Sequence, residues 1–349
     1  PQAFPEEANE LLEADIVFSN KNDGDILSLI NEYNLNKNRL VKIEQHQTGD
    51  KFWDCSIDRF HERIRAFVKI EDGCDRFCSY CIIPKSRGRV RSKPLDTLKN
   101  EIEALANGGI REIVLVGINL SAYGKGEDFN IVDAVKICNE NEKIKRIRLG
   151  SLEPDHLTDE VIEGLASCEK LCPQFHISLQ SGCNKTLKSM NRHYTAEEYK
   201  ALCTKLRASF DDASLTTDVM VGFNDETEAD FNESLDFVKD IAFEKVHVFP
   251  YSERVGTAAS KRGDNVSKQE KERRAAVMIE ETEKIRHNYL KSLVNTSKKV
   301  LFENEIKPGI YQGYTKSYLP VRMKYDRNIV GEEIEVKITN YCDEFCIAE

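Results

Sequence analysis

The chain has 349 residues, 40% hydrophobic and 32% charged, which describes a folded globular protein with room for two or three domains. No run approaches the roughly 18 apolar residues of a membrane helix, and no secretory apolar segment stands near the start. Eleven unevenly spaced cysteines are more typical of metal binding or catalysis than of a disulfide framework. We therefore expect a cytoplasmic protein without a membrane partner.

The first predicted elements are a helix, a short strand and a second helix, which we place with a polar linker in residues 1–60. In residues 61–262, amphipathic helical patterns separate six β-rich runs, at residues 64–70, 112–117, 146–151, 175–180, 214–222 and 245–251. This alternation predicts an α/β fold with a parallel sheet wound by right-handed crossovers. Six units are too few for a closed eight-stranded barrel, so we predict a six-stranded partial (β/α) barrel.

The last part of the chain changes character twice. Residues 267–294 form a long charged pattern without Gly or Pro, which predicts a bridging helix within residues 263–296. In residues 297–349, short alternating runs are broken by Pro, Gly and Asn. They predict a small antiparallel β-barrel of about five strands, similar in size to an OB-fold.

Charge is distributed unevenly along a chain whose net charge is −10 and whose pI is 5.4. Residues 85–93 carry five cations and no acid, and residues 296–331 carry seven cations against three acids. Solvated surface charge is the simple explanation of either segment alone. Two basic segments in an acidic protein indicate a polyanionic partner.

Three cysteines follow the first predicted barrel strand at the spacing Cys74-x3-Cys78-x2-Cys81. Loops after the strands of (β/α) barrels carry active sites, and thiolates suit both iron–sulfur clusters and zinc. Three thiolates hold three irons of a 4Fe–4S cluster and leave the fourth open to a small molecule such as S-adenosylmethionine (SAM). We assign the three cysteines as metal ligands and catalytic residues. The alternative is a zinc site completed by Cys55 or His61.

The segment DGCDRFCSYCIIPKSRGRVRS, residues 72–92, resembles the cluster loop of the radical SAM methylthiotransferases. The resemblance extends over nearly the whole chain and implies a 4Fe–4S cluster, SAM and a monomer reduced by a donor such as flavodoxin or ferredoxin. The family also ends in a TRAM domain, a small RNA-binding β-barrel, which would correspond to residues 297–349. Residues 1–60 resemble the end of the family's N-terminal domain.

Further motifs stand at the ends of the predicted strands, and the resemblance implies that they contact SAM. The expected contacts are Tyr80, Gly117, Asn119, Ser151, Glu153, Gln180, Ser181, Arg192, Phe249 and Pro250. We expect Tyr80, Phe249 and Pro250 against the adenine, and Arg192 on the SAM carboxylate. The simpler alternatives are a tight turn at Gly117 and a surface cation at Arg192. Asn224 and Asp225 stand where the family usually has a Pro-Gly pair, and Asn and Asp also favour a turn there.

RNA contacts are expected in both basic segments, with the tRNA anticodon stem-loop as partner. Arg87, Arg89 and Arg91 would meet phosphates near the active-site mouth, with salt bridges inside the protein as the equal alternative. In the last domain the candidates are Lys298, Tyr314, Lys316, Tyr318 and Arg322, with Tyr311 as a further stacking residue.

The motifs RIRLGSLEPD, SLQSGCNKTLKSMNR, VFPYSERVGT and GYTKSYLPVRM are most similar to the bacterial group that modifies threonylcarbamoyladenosine in tRNA. Family members acting on isopentenyladenosine or on a ribosomal-protein aspartate are alternatives. A non-enzymatic zinc- and RNA-binding protein is the alternative of another class. The implied reaction cleaves one SAM reductively, and the 5′-deoxyadenosyl radical takes hydrogen from adenine carbon-2, where a methylthio group made with a second SAM is inserted.

The family holds an auxiliary cluster on three further cysteines of its N-terminal domain. Residues 1–54 contain no cysteine. We therefore expect this chain to hold one 4Fe–4S cluster and to cleave SAM without methylthiolating tRNA. The alternatives are cysteines upstream of Pro1, or substitution by Cys342 and Cys346.

Overall fold

The computed structural model describes residues 2–54, 56, 64–342 and 344–349. Cys55 and His61, the alternative zinc ligands, lie outside the described residues. In the N-terminal segment, β1 (Ile16–Phe18) and β2 (Leu40–Lys42) pair in parallel, and helix α1 (Ile26–Asn36) connects them. The side chain of Asn20 donates a 2.9 Å hydrogen bond to the carbonyl of Ser86, which ties this segment to the loop that carries the cysteines.

Six parallel strands form the central arc. The strands of this region are β3 (Arg65–Lys69), the short β4 (Glu71–Asp72) and β5 (Arg91–Ser92), β6 (Glu112–Val116), β7 (Arg146–Leu149), β8 (Gln174–His176), β9 (Ser214–Val221) and β10 (Lys245–Pro250). Strands β3, β6 and β7 form one parallel sheet, and β8, β9 and β10 form another. Isolated parallel bridges join the sheets between β7 and β8. The predicted six-stranded partial barrel is confirmed.

Helices cover the outside of the arc because each buries an apolar stripe against the strands. They are α2 (Ile83–Arg87), α3 (Leu95–Asn107), α4 (Ile131–Glu140), α5 (Asp159–Ala166), α6 (Asn184–Ser189), α7 (Ala196–Ser209) and α8 (Glu228–Ile241). Capping boxes begin α4, α7 and α8 at Asn130, Thr195 and Thr227. The buried stripe of α3, for example, comprises Leu98, Ile102, Leu105 and Ala106.

Helix α9 (Lys268–Ser292) follows the arc, begins at the Ser267 cap and contacts β10 and α8. The small barrel that follows consists of β11 (Ser297–Lys307), β12 (Ile310–Thr315), β13 (Pro320–Lys324), β14 (Glu333–Tyr341) and β15 (Cys346–Ala348). It closes in the order β11-β12-β13-β15-β14. The β13–β15 pair is parallel, whereas the sequence predicted only antiparallel pairs. A closed ring with an odd number of strands cannot alternate direction throughout, so one parallel pair is required.

The small barrel docks on the inner face of β3, β6 and β7 through buried arginines. Arg65, Glu112 and Arg146 are in register on the three strands, and Arg148 follows two residues later. Arg148 Nε donates to Glu112 (2.9 Å), and its two terminal nitrogens donate to the carbonyls of Lys316 (2.9 Å) and Thr315 (2.8 Å). Satisfied in this way, a cation can be buried between two domains.

Arg146 and Arg65 extend this docking interface. Arg146 donates to the carbonyl of Tyr314 (2.6 Å) and to the carboxylate of Glu333 (2.9 Å). Arg65 pairs with Glu112 and with Glu303, and its guanidinium lies 5.1 Å from the ring centroid of Tyr318.

Within the described residues, no helix is long and apolar enough to span a membrane.

Replacing Arg148 with Met removes one of the two arginine partners of buried Glu112 and the donors to two interdomain carbonyls. We expect the substitution to destabilise the protein by about 3–5 kcal/mol, the usual cost of breaking a buried ion pair. Urea unfolding followed by circular dichroism measures the change. The control is Arg327→Met, whose exposed pair with Glu332 should contribute little to stability because solvent screens it. Equal losses in the two variants would contradict the role of Arg148.

Candidate functional site

The cysteine-bearing loop leaves the end of β4 and is closed by a backbone contact that requires glycine. Gly73 has φ +89°, and a Cβ at this position would lie 1.9 Å from the carbonyl oxygen of Arg89. The amide of Cys74 donates to the carbonyl of Gly88 (3.0 Å), and the amide of Cys81 donates to that of Cys78 (3.0 Å). The loop therefore folds back on itself and presents its three thiols together.

The three thiols lie in a partly buried pocket and influence one another electrostatically. Burial first, and then the neighbouring thiols of Cys78 and Cys81, raise the pKa of Cys74 to about 12. Coordination to a metal deprotonates a thiol outright and so compensates this penalty. Among the described residues, no group of three or more His, Cys, Asp or Glu surrounds a point where one metal ion would sit. A 4Fe–4S cluster instead takes one thiolate for each iron, so three neighbouring thiols on one loop suit three of its irons.

A buried guanidinium contacts the thiol of Cys78. Arg192 Nη1 lies 3.2 Å from Cys78 Sγ, Arg192 Nε donates to Tyr194 (3.0 Å), and Arg192 Nη2 pairs with Glu153. Glu153 also accepts a 3.2 Å bond from Arg76. Arg192 is therefore held at the sulfur rather than on the surface, and Glu153 joins two cations of the site.

Two of the expected SAM residues lie beside a buried acid that the sequence did not single out. Gly117 leaves room for Glu71, since a Cβ there would lie 2.7 Å from Glu71 Oε2. The amide of Asn119 donates to the same oxygen (2.6 Å). Burial raises the pKa of Glu71 to about 8. The carboxyl is thus neutral at physiological pH and fixes the loop after β6.

Orphaned polar atoms point to a ligand at the carboxyl ends of the strands. Buried side-chain atoms without a hydrogen-bond partner among the described residues include Glu71 Oε1, Asn119 Oδ1, Gln180 Oε1 and Asn224 Oδ1. Gln180 also has φ +65°, outside the usual region for a side-chain-bearing residue. A ligand with both hydrogen-bond donors and acceptors, such as SAM, would satisfy these atoms, since the neutral Glu71 carboxyl donates and the amide oxygens accept. The donor set therefore fits both a cluster and SAM.

The other expected SAM residues differ in accessibility. Tyr80 packs edge-on against Phe223, with ring centroids 6.1 Å apart. Ser181 is buried and accepts a 3.2 Å bond from the amide of Cys183, so it stabilises its own turn. Ser151, Phe249 and Pro250 are exposed at the ends of β7 and β10. The structure thus gathers most of the expected residues on one edge of the arc.

The three arginines behind the cysteines all form ion pairs within the chain. Arg87 and Arg91 lie 3.5 Å and 3.4 Å from Asp72, and Arg89 lies 3.3 Å from Asp75. Arg91 is buried and also donates to the carbonyls of Arg87 and Arg89. Intramolecular pairing, the alternative from the sequence, is therefore seen for all three, and Arg91 is buried as well. Arg89 keeps an exposed side chain.

The basic residues expected in the small barrel are also engaged. Lys298 pairs with Asp212 (2.8 Å), Lys316 donates to the carbonyl of Glu169 (3.4 Å), and Arg322 lies 3.7 Å from the ring centroid of Phe345. The first two contacts link the small barrel to the arc, and the third stabilises the small barrel internally.

The tyrosines of the small barrel face the docking interface or its core. Tyr314 and Tyr318 stack at 4.9 Å, and the Arg148 guanidinium lies 4.5 Å from the Tyr318 ring centroid. Tyr311 is buried in the core of the small barrel, so the prediction that Tyr311 stacks on a base is wrong. Glu71 and Arg76 are site residues that sequence reasoning missed, whereas Asn224 was noted there only as a departure from the family's pattern. An acid in the last strand-like position before the cysteines was the available signal for Glu71.

The comparisons with known proteins agree with this geometry. Residues 68–238 match the radical SAM superfamily. The chain is 34% identical over 348 residues to the threonylcarbamoyladenosine tRNA methylthiotransferase MtaB of Thermotoga maritima, covering 99% of this chain and 79% of that protein. The Bacillus subtilis protein of the same name is 33% identical over 343 residues, 97% of this chain and 76% of that protein. The tRNA-2-methylthio-N(6)-dimethylallyladenosine synthase of Natranaerobius thermophilus is 36% identical over 329 residues, covering 93% and 72%.

A site with three thiols on the first loop of a six-stranded arc defines a radical SAM enzyme. More narrowly, the chain belongs to the radical SAM tRNA methylthiotransferases, a family that uses a 4Fe–4S cluster and SAM. The resemblance noted from the sequence is therefore confirmed.

Replacing Arg192 with Met removes the guanidinium from Cys78 and leaves the thiol in place. We expect the reconstituted cluster to be lost to a chelator roughly 10-fold faster, since neighbours of metal ligands typically contribute 10–100-fold. Iron and sulfide contents over time measure the loss. Cys78→Ala defines complete loss, and Arg207→Met on the outer helix α7 is the matched control. Retention at the wild-type rate would contradict the role of Arg192.

Replacing Glu71 with Gln should change how stability depends on pH. The native state keeps the Glu71 proton up to about pH 8, whereas an ordinary carboxyl releases it near 4.5, so wild-type stability falls as pH rises through this window. Gln stays neutral, so E71Q should gain on the order of 2–3 kcal/mol relative to wild type between pH 6 and pH 9. Urea unfolding at both pH values tests this. The exposed control Glu127→Gln should show no such trend, and a pH-independent difference for E71Q would refute the buried neutral carboxyl.

Proposed function

We propose that this enzyme acts on threonylcarbamoyladenosine beside the tRNA anticodon, where its cleavage of SAM serves the addition of a methylthio group to carbon-2. Relatives named for threonylcarbamoyladenosine and for dimethylallyladenosine have similar identities, so identity alone does not choose between them. The observation that supports our choice is the polar wall inside the arc, where Gln174, His176, Thr216 and His247 line a cavity. A dimethylallyl group would offer no partner to the donors and acceptors of these side chains that their mutual hydrogen bonds leave over.

In this proposal the residues at the open edge of the arc divide into two groups. Cys74, Cys78 and Cys81 hold the cluster, and Arg192 donates to the sulfur of Cys78. Asn119, Gln180 and the backbone beside Gly117 hold SAM, while Phe249 and Pro250 offer an apolar surface to an adenine. Bound together, the cluster and SAM supply one-electron chemistry that activates a C–H bond.

The remaining residues of the site position these groups and exclude water. Glu153 fixes Arg76 and Arg192 by accepting from both. Neutral Glu71 holds the loop after β6 by accepting from the amide of Asn119. Tyr80 and Phe223 close the apolar side next to the cysteines. The proposal assigns the arc, residues 61–262, to catalysis and residues 297–349 to a TRAM domain, with α9 as the bridge.

The partners follow from the same proposal. The tRNA anticodon stem-loop is the substrate, and Arg87 and Arg89 at the rim of the cysteine loop are its proposed phosphate contacts. Further proposed RNA contacts lie in the small barrel. RNA would replace the intramolecular contacts that these side chains now make; they are Lys298, Tyr314, Lys316, Tyr318 and Arg322. We further propose a monomer that receives electrons from a flavodoxin- or ferredoxin-type donor.

Deleting the gene tests the substrate in the protein's own cell. We expect tRNA nucleosides from the deletion strain to lack 2-methylthio-threonylcarbamoyladenosine and to retain its precursor. Mass spectrometry of digested tRNA measures both, and 2-methylthio-isopentenyladenosine serves as the internal control because its level should not change. If the strain instead lost 2-methylthio-isopentenyladenosine, the proposed substrate would be wrong and isopentenyladenosine would be the substrate.

A further inference from the structure

A large cavity lies inside the arc, next to the edge that carries the cysteines. Its volume is about 1350 Å³. It begins at Gly150 and Ser151, at the end of β7, and reaches Tyr314 and Tyr318 of the small barrel. Strands β8, β9 and β10 line one side and α9 lines another. A ligand in the cavity would therefore lie between the cofactor edge and the small barrel.

The wall formed by β8, β9 and β10 is polar and held in place by its own hydrogen bonds. His176 Nδ1 lies 3.0 Å from Thr216 Oγ1, and its Nε2 lies 3.3 Å from Asp218. Gln174 donates to the same hydroxyl (3.3 Å). His247 lies beside His176, with ring centroids 5.8 Å apart. These side chains form a fixed set of hydrogen-bonding groups rather than a flexible surface.

Lys245 adds a positive charge to this wall. Lys245 and His247 are alternate residues of β10, so their side chains leave the same face, and both line the cavity. Among the described residues, no acid forms an ion pair with Lys245. The cations of α9 are already engaged, because Lys284 pairs with Glu280 and Glu281, and Arg286 pairs with Glu244. An anionic group in the cavity therefore finds its available cation on β10.

The spacing along β10 matches a substituted purine. A strand rises about 3.3 Å per residue, so His247 lies roughly 7 Å and Lys245 roughly 13 Å from Phe249 along the strand. A substrate adenine held at the cofactor edge, on the cavity side of the SAM adenine expected at Phe249 and Pro250, would direct its N6 substituent along the wall towards His247 and Lys245. A carboxylate at the end of that substituent would then reach the ammonium group.

We propose that Lys245, His247 and the His176–Thr216 pair form a specificity site that binds the carboxylate and hydroxyl of the threonylcarbamoyl group. The inference rests on the proposed function and adds the residues that read the substituent. A site built to hydrogen-bond a polar substituent rejects an analogue that lacks it, because its buried polar groups are left unpaired. Lys245 and His247 are specificity residues and touch no reacting atom.

Binding of anticodon stem-loop RNAs to the cluster-loaded enzyme tests the site without depending on turnover. Three RNAs are compared by fluorescence anisotropy: one with threonylcarbamoyladenosine, one with its carboxylate methyl ester and one with isopentenyladenosine. Wild-type enzyme should bind the free acid about 10-fold more tightly than the ester, as expected for a hydrogen bond to a charged group. Lys245→Met should remove this preference, and Lys245→Arg should keep most of it.

Lys99→Met, on the exposed face of the outer helix α3, controls for the general loss of a positive charge and should leave the preference intact. His247→Phe should weaken binding of the threonylcarbamoyl RNA more than that of the isopentenyl RNA. Equal weakening of all three RNAs in Lys245→Met, or an unchanged preference for the acid, would overturn the specificity site. Tighter binding of the isopentenyl RNA by wild type would instead overturn the proposed function, so the two failures are distinguishable.

Discussion

Burial of Arg146 and Arg148 on the inner face of β7 is the constraint on which the architecture depends. Charged side chains inside a barrel are costly unless every donor finds a partner. Here the partners come from outside the arc, as carbonyls of Thr315, Lys316 and Tyr314 in the small barrel. The small barrel therefore supplies acceptors for two buried arginines of the arc, which couples the stability of the two units.

This constraint changes what a truncation would show. Removing residues 297–349 would leave Arg146 and Arg148 without their carbonyl acceptors. It would also open the cavity at the end that Tyr314 and Tyr318 line. A truncated protein would lose RNA binding and arc stability together, so the loss of binding could not be assigned to the small barrel. Single substitutions such as Lys245→Met, which leave the interface intact, separate the two effects.

The arc and the cysteine loop could be predicted from the sequence because both are local signals. Alternating β-rich runs and capped amphipathic helices define the arc, and three cysteines within eight residues define the loop. The roles of Arg192 and Tyr314 depend on partners more than a hundred residues away, Cys78 for the first and Arg146 for the second. The spacing of residues in one sequence does not show which distant residues pair. An arginine on the surface and an arginine that contacts a buried sulfur therefore look the same in the sequence.

The same alternation that builds the arc also separates its two tasks. In a parallel arc the loops after the strands meet at one edge, where the cysteines, Asn119 and Gln180 gather. The inward-facing residues of those strands line the interior, where Thr216 and His247 lie. Cofactor chemistry and substituent recognition thus occupy different positions of the same strands. Because the wall residues stand below the loops, their replacement can change which adenosine enters without altering the thiols or the orphaned polar atoms that suit SAM.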